Sequence, residues 1–340
     1  MKLSNTVSAF AACILALSIA LNASAALPPG TSAGAPPASH SPYDPTKPAS
    51  AVVGPNPATL SKLVPDKLQT GSRSFLWEVK SKTNVMYLFG TIHVGKREFY
   101  PLPTPVEEAF KQSQRLVVEA DISNNDGMAD IGAIINYKAP DGLDKHIPPA
   151  LFDRLKTQLA LLNVPVEAVK PMKPYLIGGF LSVAAFSQLG YDINLGVDGY
   201  LIGKAKEQGK SILELESQAG QLQMLDGLSP ILQVAFLENA IRTLESGKAA
   251  EQVTGVVNAW QTGDVNLMQE VTKGVNKQLR LTEQLDEVLL HSRHDAMLRK
   301  MESYLRASVP HFVAVGSLHL IGPRGLVEML RSRGFEVKQL

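Results

Sequence analysis

Apolar positions along this chain recur with two different periods. Short, nearly unbroken runs at Val85 to Phe89, Leu116 to Val118 and Phe312 to Val315 predict strands buried on both faces. Longer stretches carry apolar residues three and four apart: Leu151 to Leu162, Leu176 to Leu189, Leu228 to Leu244 and Val265 to Leu290. These predict helices. One strand, Ser211 to Glu216, interrupts them. It follows a helix predicted over Gly199 to Gln208, which Gly196-Val197-Asp198 opens with Asp198 at the N-cap. Strands alternating with helices from about residue 59 to 340 predict an α/β domain with a mainly parallel sheet and a large helical insertion.

A short pattern recurs where two of these strands end. Val85 to Phe89 runs into Gly90-Thr91-Ile92-His93, and Phe312 to Val315 runs into Gly316-Ser317-Leu318-His319. With seven His and 26 Gly in the chain, roughly half a G-x-x-H match is expected by chance, so one copy would say little. Two copies, each ending an apolar strand, predict a pair of imidazoles at the carboxyl edge of the sheet, where ligands bind in open α/β folds. The likeness extends further. Pro105 to Lys111 reads as a Pro-led helix followed by the strand Leu116-Val117-Val118-Glu119; Pro323 to Leu330 reads as another, followed by Phe335-Glu336-Val337. Two pseudo-repeated strand, G-x-x-H, helix, strand units are therefore expected to form the sheet core.

The amino terminus has a different character. Lys2, the apolar run Val7 to Leu21 and Ala23-Ser24-Ala25 form the three parts of a secretory signal peptide over residues 1–25. The run is shorter than the roughly 20 residues of a spanning helix, so no transmembrane segment is expected after cleavage. A lipoprotein would need Cys13 as lipid acceptor, but Cys13 lies inside the apolar run. Residues 26–58, rich in Pro, Ala, Ser and Gly, cannot bury enough apolar surface to fold and read as a tether. Residues 59–340 form the folded domain, and its about 280 residues suffice for a sizeable core. The expected location is periplasmic or secreted.

Cys13 is the only cysteine, which excludes disulfides, thiolate catalysis and Cys-ligated metal from the processed chain. Any metal must be held by His, Asp and Glu, a donor set suited to Mn²⁺, Co²⁺, Fe²⁺ or Zn²⁺. A net charge of +1 and 6% aromatic residues give no footprint for nucleic acid. A Gly-rich phosphate loop, H-E-x-x-H and G-x-S-x-G are all missing, and no helix carries a cofactor box. Glu119, ending its strand beside the first G-x-x-H unit, joins His93 and His319 in a two-His, one-carboxylate set. It either ligates the metal or takes a proton from water. Glu216 ends the Ser211 to Glu216 strand at the same edge and is a further candidate ligand, ahead of Glu214. His146, His291, His294 and His311 read as structural, with His294 the first exception to consider.

The chain resembles the TraB/GumN family, which includes the pheromone-shutdown proteins and the TIKI metalloproteases. The matching stretches are Leu88 to His93, Val117-Val118-Glu119, Gly196-Val197-Asp198, Leu215-Glu216-Ser217, Arg293, and Val315 to Leu320 with Gly322 and Gly325. The resemblance runs from about residue 73 to the C-terminus. It implies a fold related to the erythromycin-esterase and ChaN-like proteins and, for the TIKI branch, a Mn²⁺- or Co²⁺-dependent peptidase. It also makes Asp198 a candidate metal ligand and Arg293 a candidate for holding oxyanion charge. One departure stands out, for the family often has Arg-Asn where this chain has Arg293-His294.

The leading expectation is an exported metal-dependent hydrolase acting on a peptide or protein substrate, with Mn²⁺ or Co²⁺ favoured and Zn²⁺ or Fe²⁺ compatible. The alternatives are a protein that sequesters a peptide without turnover, and a haem or iron binder of the ChaN-like kind with the two histidines as axial ligands. Substrate identity and oligomeric state leave no trace in the sequence.

Overall fold

The computed structural model describes residues 73–124, 131–276 and 279–340; the expected signal peptide and tether lie outside them. Six strands form one sheet: β1 (Leu76–Lys80), β2 (Val85–Thr91), β3 (Arg115–Val118), β4 (Ser211–Glu214), β5 (His311–Gly316) and β6 (Glu336–Gln339). Their order is β4-β3-β5-β2-β1-β6. The four strands β4, β3, β5 and β2 are mutually parallel, while β1 runs antiparallel to both β2 and β6. This is the mixed α/β architecture with a mostly parallel sheet that the alternating pattern predicts. Leu88, Val117, Val118, Phe312, Val313, Ala314 and Val315 are all fully buried, as central parallel strands covered on both faces require.

Eleven helices matter to the layout: α1 (Thr104–Gln112), α2 (Pro149–Leu161), α3 (Pro174–Ser187), α4 (Val197–Glu207), α5 (Gln218–Asp226), α6 (Pro230–Glu245), α7 (Ala249–Thr262), α8 (Val265–Asn276), α9 (Ser292–Leu305), α10 (Ser317–Leu320) and α11 (Leu326–Ser332). One predicted helix is broken. The Leu228 to Leu244 stretch forms the single helix α6, which starts where the Ser229 hydroxyl accepts from the Leu232 amide. The Val265 to Leu290 stretch divides into α8, a short helix over Thr282–Asp286 and a π-turn over Glu287–His291. Apolar spacing survives the break because the pieces pack on the same core. No motif in the sequence pointed to β1, α5 or α7.

The two G-x-x-H units are not topological equivalents. After β2 the chain bends through His93, passes α1 and enters the sheet again as β3, stepping over β5. After β5 it forms the helical turn α10, passes α11 and returns as β6 at the far edge, beyond β2 and β1. The motifs themselves nonetheless lie side by side, offset by one residue, with Gly90 opposite Val315 and Thr91 opposite Gly316.

An aromatic cluster fills the space between sheet and helices. Phe312 contacts Phe89 and Phe110 with ring centroids 5.8 and 5.4 Å apart, and Trp260 of α7 packs on Phe99 at 5.4 Å. The Trp260 indole N–H also donates to the Gly90 carbonyl at 2.7 Å, tying α7 to the end of β2. A second cluster, including Leu155, Ile177, Leu181, Leu237 and Ile241, joins α2, α3 and α6 within the insertion. Among the described residues no helix is long and apolar enough to cross a membrane.

Trp260→Phe keeps an aromatic ring but leaves the buried Gly90 carbonyl without its donor. A loss of about 1–3 kcal/mol is expected in urea unfolding, with an added cavity cost. An unchanged denaturation midpoint would show that the tie contributes nothing.

Candidate active site at the carboxyl edge of the sheet

Because β2, β3, β4 and β5 are parallel and their ends are in register, four side chains leave the same edge. His93 follows β2, Glu119 follows β3, Glu216 lies two residues beyond β4, and His319 sits in the turn α10 after β5. Backbone bonds continue past the strands to hold them there. The Leu215 amide donates to the Val118 carbonyl and the Glu216 amide to the Glu119 carbonyl, both at 2.8 Å. The second motif also grips the first, for the Ser317 hydroxyl donates to the Thr91 carbonyl at 2.7 Å.

Helix α4 begins against the first motif. The Val197 amide donates to the Ile92 carbonyl at 3.0 Å. The N-cap of α4 is Gly196, not Asp198 as the spacing suggested. A Cβ on Gly196 would lie 2.6 Å from the His93 carbonyl oxygen, so only glycine lets the helix start this close. Asp198 therefore falls in the first helical turn, where the helix dipole favours a carboxylate. Its Oδ1 accepts from the Thr91 hydroxyl and its Oδ2 from His93 Nδ1, both at 2.8 Å. A carboxylate can only accept here, so His93 carries a proton on Nδ1, and in the neutral ring Nε2 holds the lone pair. Burial alone would lower the pKa of His93, but the charge and hydrogen bond of Asp198 outweigh it and raise the value above the ordinary imidazole range.

Arg293, from the first turn of α9, is the cation of the site. Its Nε lies 3.0 Å from both oxygens of Glu216, and its Nη2 donates to Glu119 and Glu216. Its Nη1 donates to the Leu289 carbonyl at 2.7 Å and lies 3.3 Å from His319 Nε2. Glu119 is 2% exposed and also accepts from the Gln221 amide at 2.9 Å and the Gly316 backbone amide at 3.2 Å. Burial would raise its pKa; the charge of Arg293 reverses that and holds it well below the usual carboxylate range. Glu119 is thus an ionised carboxylate of low basicity. Every Arg293 nitrogen is already engaged by a protein group, which makes it a holder of carboxylates.

His319 is buried, with Nδ1 2.9 Å from His294 Nε2 and Nε2 3.5 Å from Glu119 Oε1. His294 in turn places Nδ1 2.8 Å from the Arg324 carbonyl. Burial, reinforced by the neighbouring His319, pushes the His294 pKa down to about 3.

The donor set of two imidazoles and a carboxylate suits a divalent transition metal in kind. A glycine creates the space for one. A Cβ on Gly316 would lie 3.5 Å from Glu119 Oε2 and 3.6 Å from both His93 Nε2 and His319 Cδ2, so the missing side chain leaves a gap bordered by all three residues. As placed, no three donors among the described residues stand close enough to form a coordination sphere. Glu216 is held by Arg293 and by Gln221, whose amide lies 3.3 Å away. The oxygens of Asp198 serve Thr91 and His93. A cavity of about 360 Å³ opens from His93 and Glu119, walled by Ile122, Ile193 and Ile202 with Lys206 at its rim.

Thr91, Gln221, His294 and the Gly316 amide belong to this network without having been singled out from sequence as site members. Thr91 was legible in principle, as the second residue of a G-T-I-H turn. His294 had been named only as an exception among structural histidines. Gln221 sits on a helix with no distinguishing pattern.

The chain belongs to the TraB/PrgY/gumN family, whose sequence pattern matches residues 75–339. It is 28% identical over 252 residues to the uncharacterized protein YbaP of Escherichia coli, covering 72% of this chain and 87% of that one. It is 24% identical over 336 residues to the metalloprotease TIKI1 of Danio rerio, and 22% identical over 319 residues to the human TIKI1. It spans 66% and 62% of the length of those two relatives. No solved structure matches the chain.

The depressed pKa of His294 has a signed consequence in metal-free protein. The unfolded imidazole takes up a proton near 6.5, whereas the folded one resists until about 3. The unfolded state therefore binds more protons in that window, and stability falls as pH drops from about 6.5 towards 3. Urea unfolding with chelator present should show this decline, and the decline should be shallower in His294→Gln. Parallel curves for the two proteins would mean that His294 is not held neutral. Asp198→Ala should weaken Mn²⁺ or Co²⁺ binding by roughly 10–100-fold through loss of the orienting bond to His93. Unaltered affinity would remove Asp198 from the site.

Proposed function

We propose that this protein is a metal-dependent hydrolase that cleaves peptide bonds, with His93, Glu119 and His319 as the metal-holding side chains. One observation carries the reading: His93 Nε2, Glu119 Oε2 and the His319 ring border the gap left by the absent side chain of Gly316. Membership of the TraB/PrgY/gumN family and similarity to two metalloproteases support it. Mn²⁺ or Co²⁺ is the ion that the resemblance to the TIKI branch favours, and nitrogen and oxygen ligands without thiolate are compatible with either.

A divalent cation held there would acidify a water molecule and polarise the scissile carbonyl. The protein's own groups do the rest. Asp198 keeps the Nε2 lone pair of His93 turned to the site. Arg293 and Gln221 hold Glu119 ionised and fixed in orientation, which suits a ligand better than a general base. Arg293 and Glu216 balance charge in a buried setting, where an unpaired carboxylate would be strongly unfavourable. The cavity beside Ile122, Ile193 and Ile202 takes the substrate chain, and its partly apolar walls suit an extended peptide. Together with the export signal proposed for residues 1–25, the site is set to act outside the cytoplasm.

The test is metal content and cleavage of unstructured peptides, with and without added Mn²⁺ or Co²⁺. His93→Ala and His319→Ala should each lower metal affinity by orders of magnitude and abolish cleavage. Glu119→Gln should lose metal and activity together if Glu119 is a ligand. Metal retained with turnover reduced by roughly 10²–10⁴ would make it the base instead. Metal binding with no cleavage of any peptide would turn the reading to sequestration. Full metal content and activity in all three variants would place the site elsewhere.

A further inference from the structure

We infer that His294 is a positioning residue that fixes the tautomer of His319, with the proton on Nδ1 and the lone pair on Nε2. The chain of contacts has one direction. At its outer end the Arg324 carbonyl, 2.8 Å from His294 Nδ1, can only accept. His294 therefore carries its proton on Nδ1, and its neutral Nε2 is left as an acceptor. That nitrogen lies 2.9 Å from His319 Nδ1, so His319 must donate from Nδ1. At the inner end Arg293 Nη1, 3.3 Å from His319 Nε2, can only donate, and it meets a lone pair.

The opposite arrangement would have His319 donate from Nε2 to Glu119 Oε1 at 3.5 Å. A neutral His294 would then point its Nδ1 lone pair at the Arg324 carbonyl across 2.8 Å, two acceptors face to face. Glu119 has no need of that bond, because Arg293, Gln221 and the Gly316 amide already donate to it. Both ends of the chain thus select the same tautomer. It is the mirror of the device at His93, where a carboxylate takes the Nδ1 proton; here a second imidazole, relayed to a backbone carbonyl, does the same work. The use of that lone pair as a metal donor, in exchange for the bond from Arg293, rests on the metal-dependent reading above, whereas the tautomer does not.

The experiment is ring-nitrogen NMR of ¹⁵N-histidine-labelled, metal-free protein at neutral pH, with Mn²⁺ and Co²⁺ affinities measured on the same samples by calorimetry. In the wild-type chain His319 should show its proton on Nδ1. His294→Leu removes the acceptor. It should give a mixture of His319 tautomers and weaken metal binding by roughly 10–100-fold. His294→Gln offers an amide oxygen at similar reach and should restore both within a few-fold. A wild-type His319 protonated on Nε2 would overturn the inference. So would a Leu variant unchanged in tautomer and affinity, or a Gln variant that behaves like Leu. Should the Leu variant fail to fold by circular dichroism, the wild-type and Gln spectra decide. A wild-type chain that binds neither ion would defeat the metal reading and leave the tautomer assignment to stand or fall on its own spectrum.

Discussion

A buried guanidinium organises this site. Arg293 is 7% exposed and satisfies Glu119 from one strand end, Glu216 from the next and the Leu289 carbonyl from the π-turn that precedes its own helix. Two carboxylates at neighbouring strand ends would repel each other in the interior, and each alone would tend to take up a proton. The planar fork of arginine, with five donors in fixed directions, removes both problems. Everything else at the edge follows from having Glu119 ionised and immobile: the Gly316 amide that bonds to it, the Gln221 amide that shares it with Glu216, and the position of His319 Nε2 between it and Arg293.

The two histidines reach comparable states by different local means. His93 lies in a bend and is oriented by Asp198, which comes from the start of α4, 105 residues away. His319 lies in a helical turn and meets His294, 25 residues away on α9. In each case a partner takes the Nδ1 proton and Nε2 is left to face the site. The site therefore depends on the helices packed over the sheet edge as much as on the strands. The helical insertion between β3 and β5 supplies Asp198, Glu216, Gln221 and Arg293, so its removal would strip both histidines and Glu119 of most of their support.

How far the sequence foretold this can be judged residue by residue. The strands holding His93, Glu119 and His319 were legible because a strand buried on both faces must be apolar along its whole length. The residue that ends such a run is then marked by contrast. Glu216 was legible for the same reason, although its pairing with Arg293, a residue marked only through the family resemblance, was not. Asp198 looked like a helix cap because its spacing fits one; Gly196 takes that place, since only a residue without a side chain can approach the His93 carbonyl.

The sequence alone determined the α/β class, the edge of the sheet at which the candidate site lies and four of the side chains there. Hydrophobic period and strand termination are local properties that every buried strand must display. The tertiary structure decided the order of the strands, the antiparallel placement of β1 beside β6, the unequal crossovers of the two G-x-x-H units and the partner of every polar group. Hydrogen bonds and ion pairs between segments a hundred residues apart are chosen by packing geometry. They impose no period on the chain, so Asp198, Gln221, Arg293 and His294 could be assigned their roles only once the helices had been laid against the sheet.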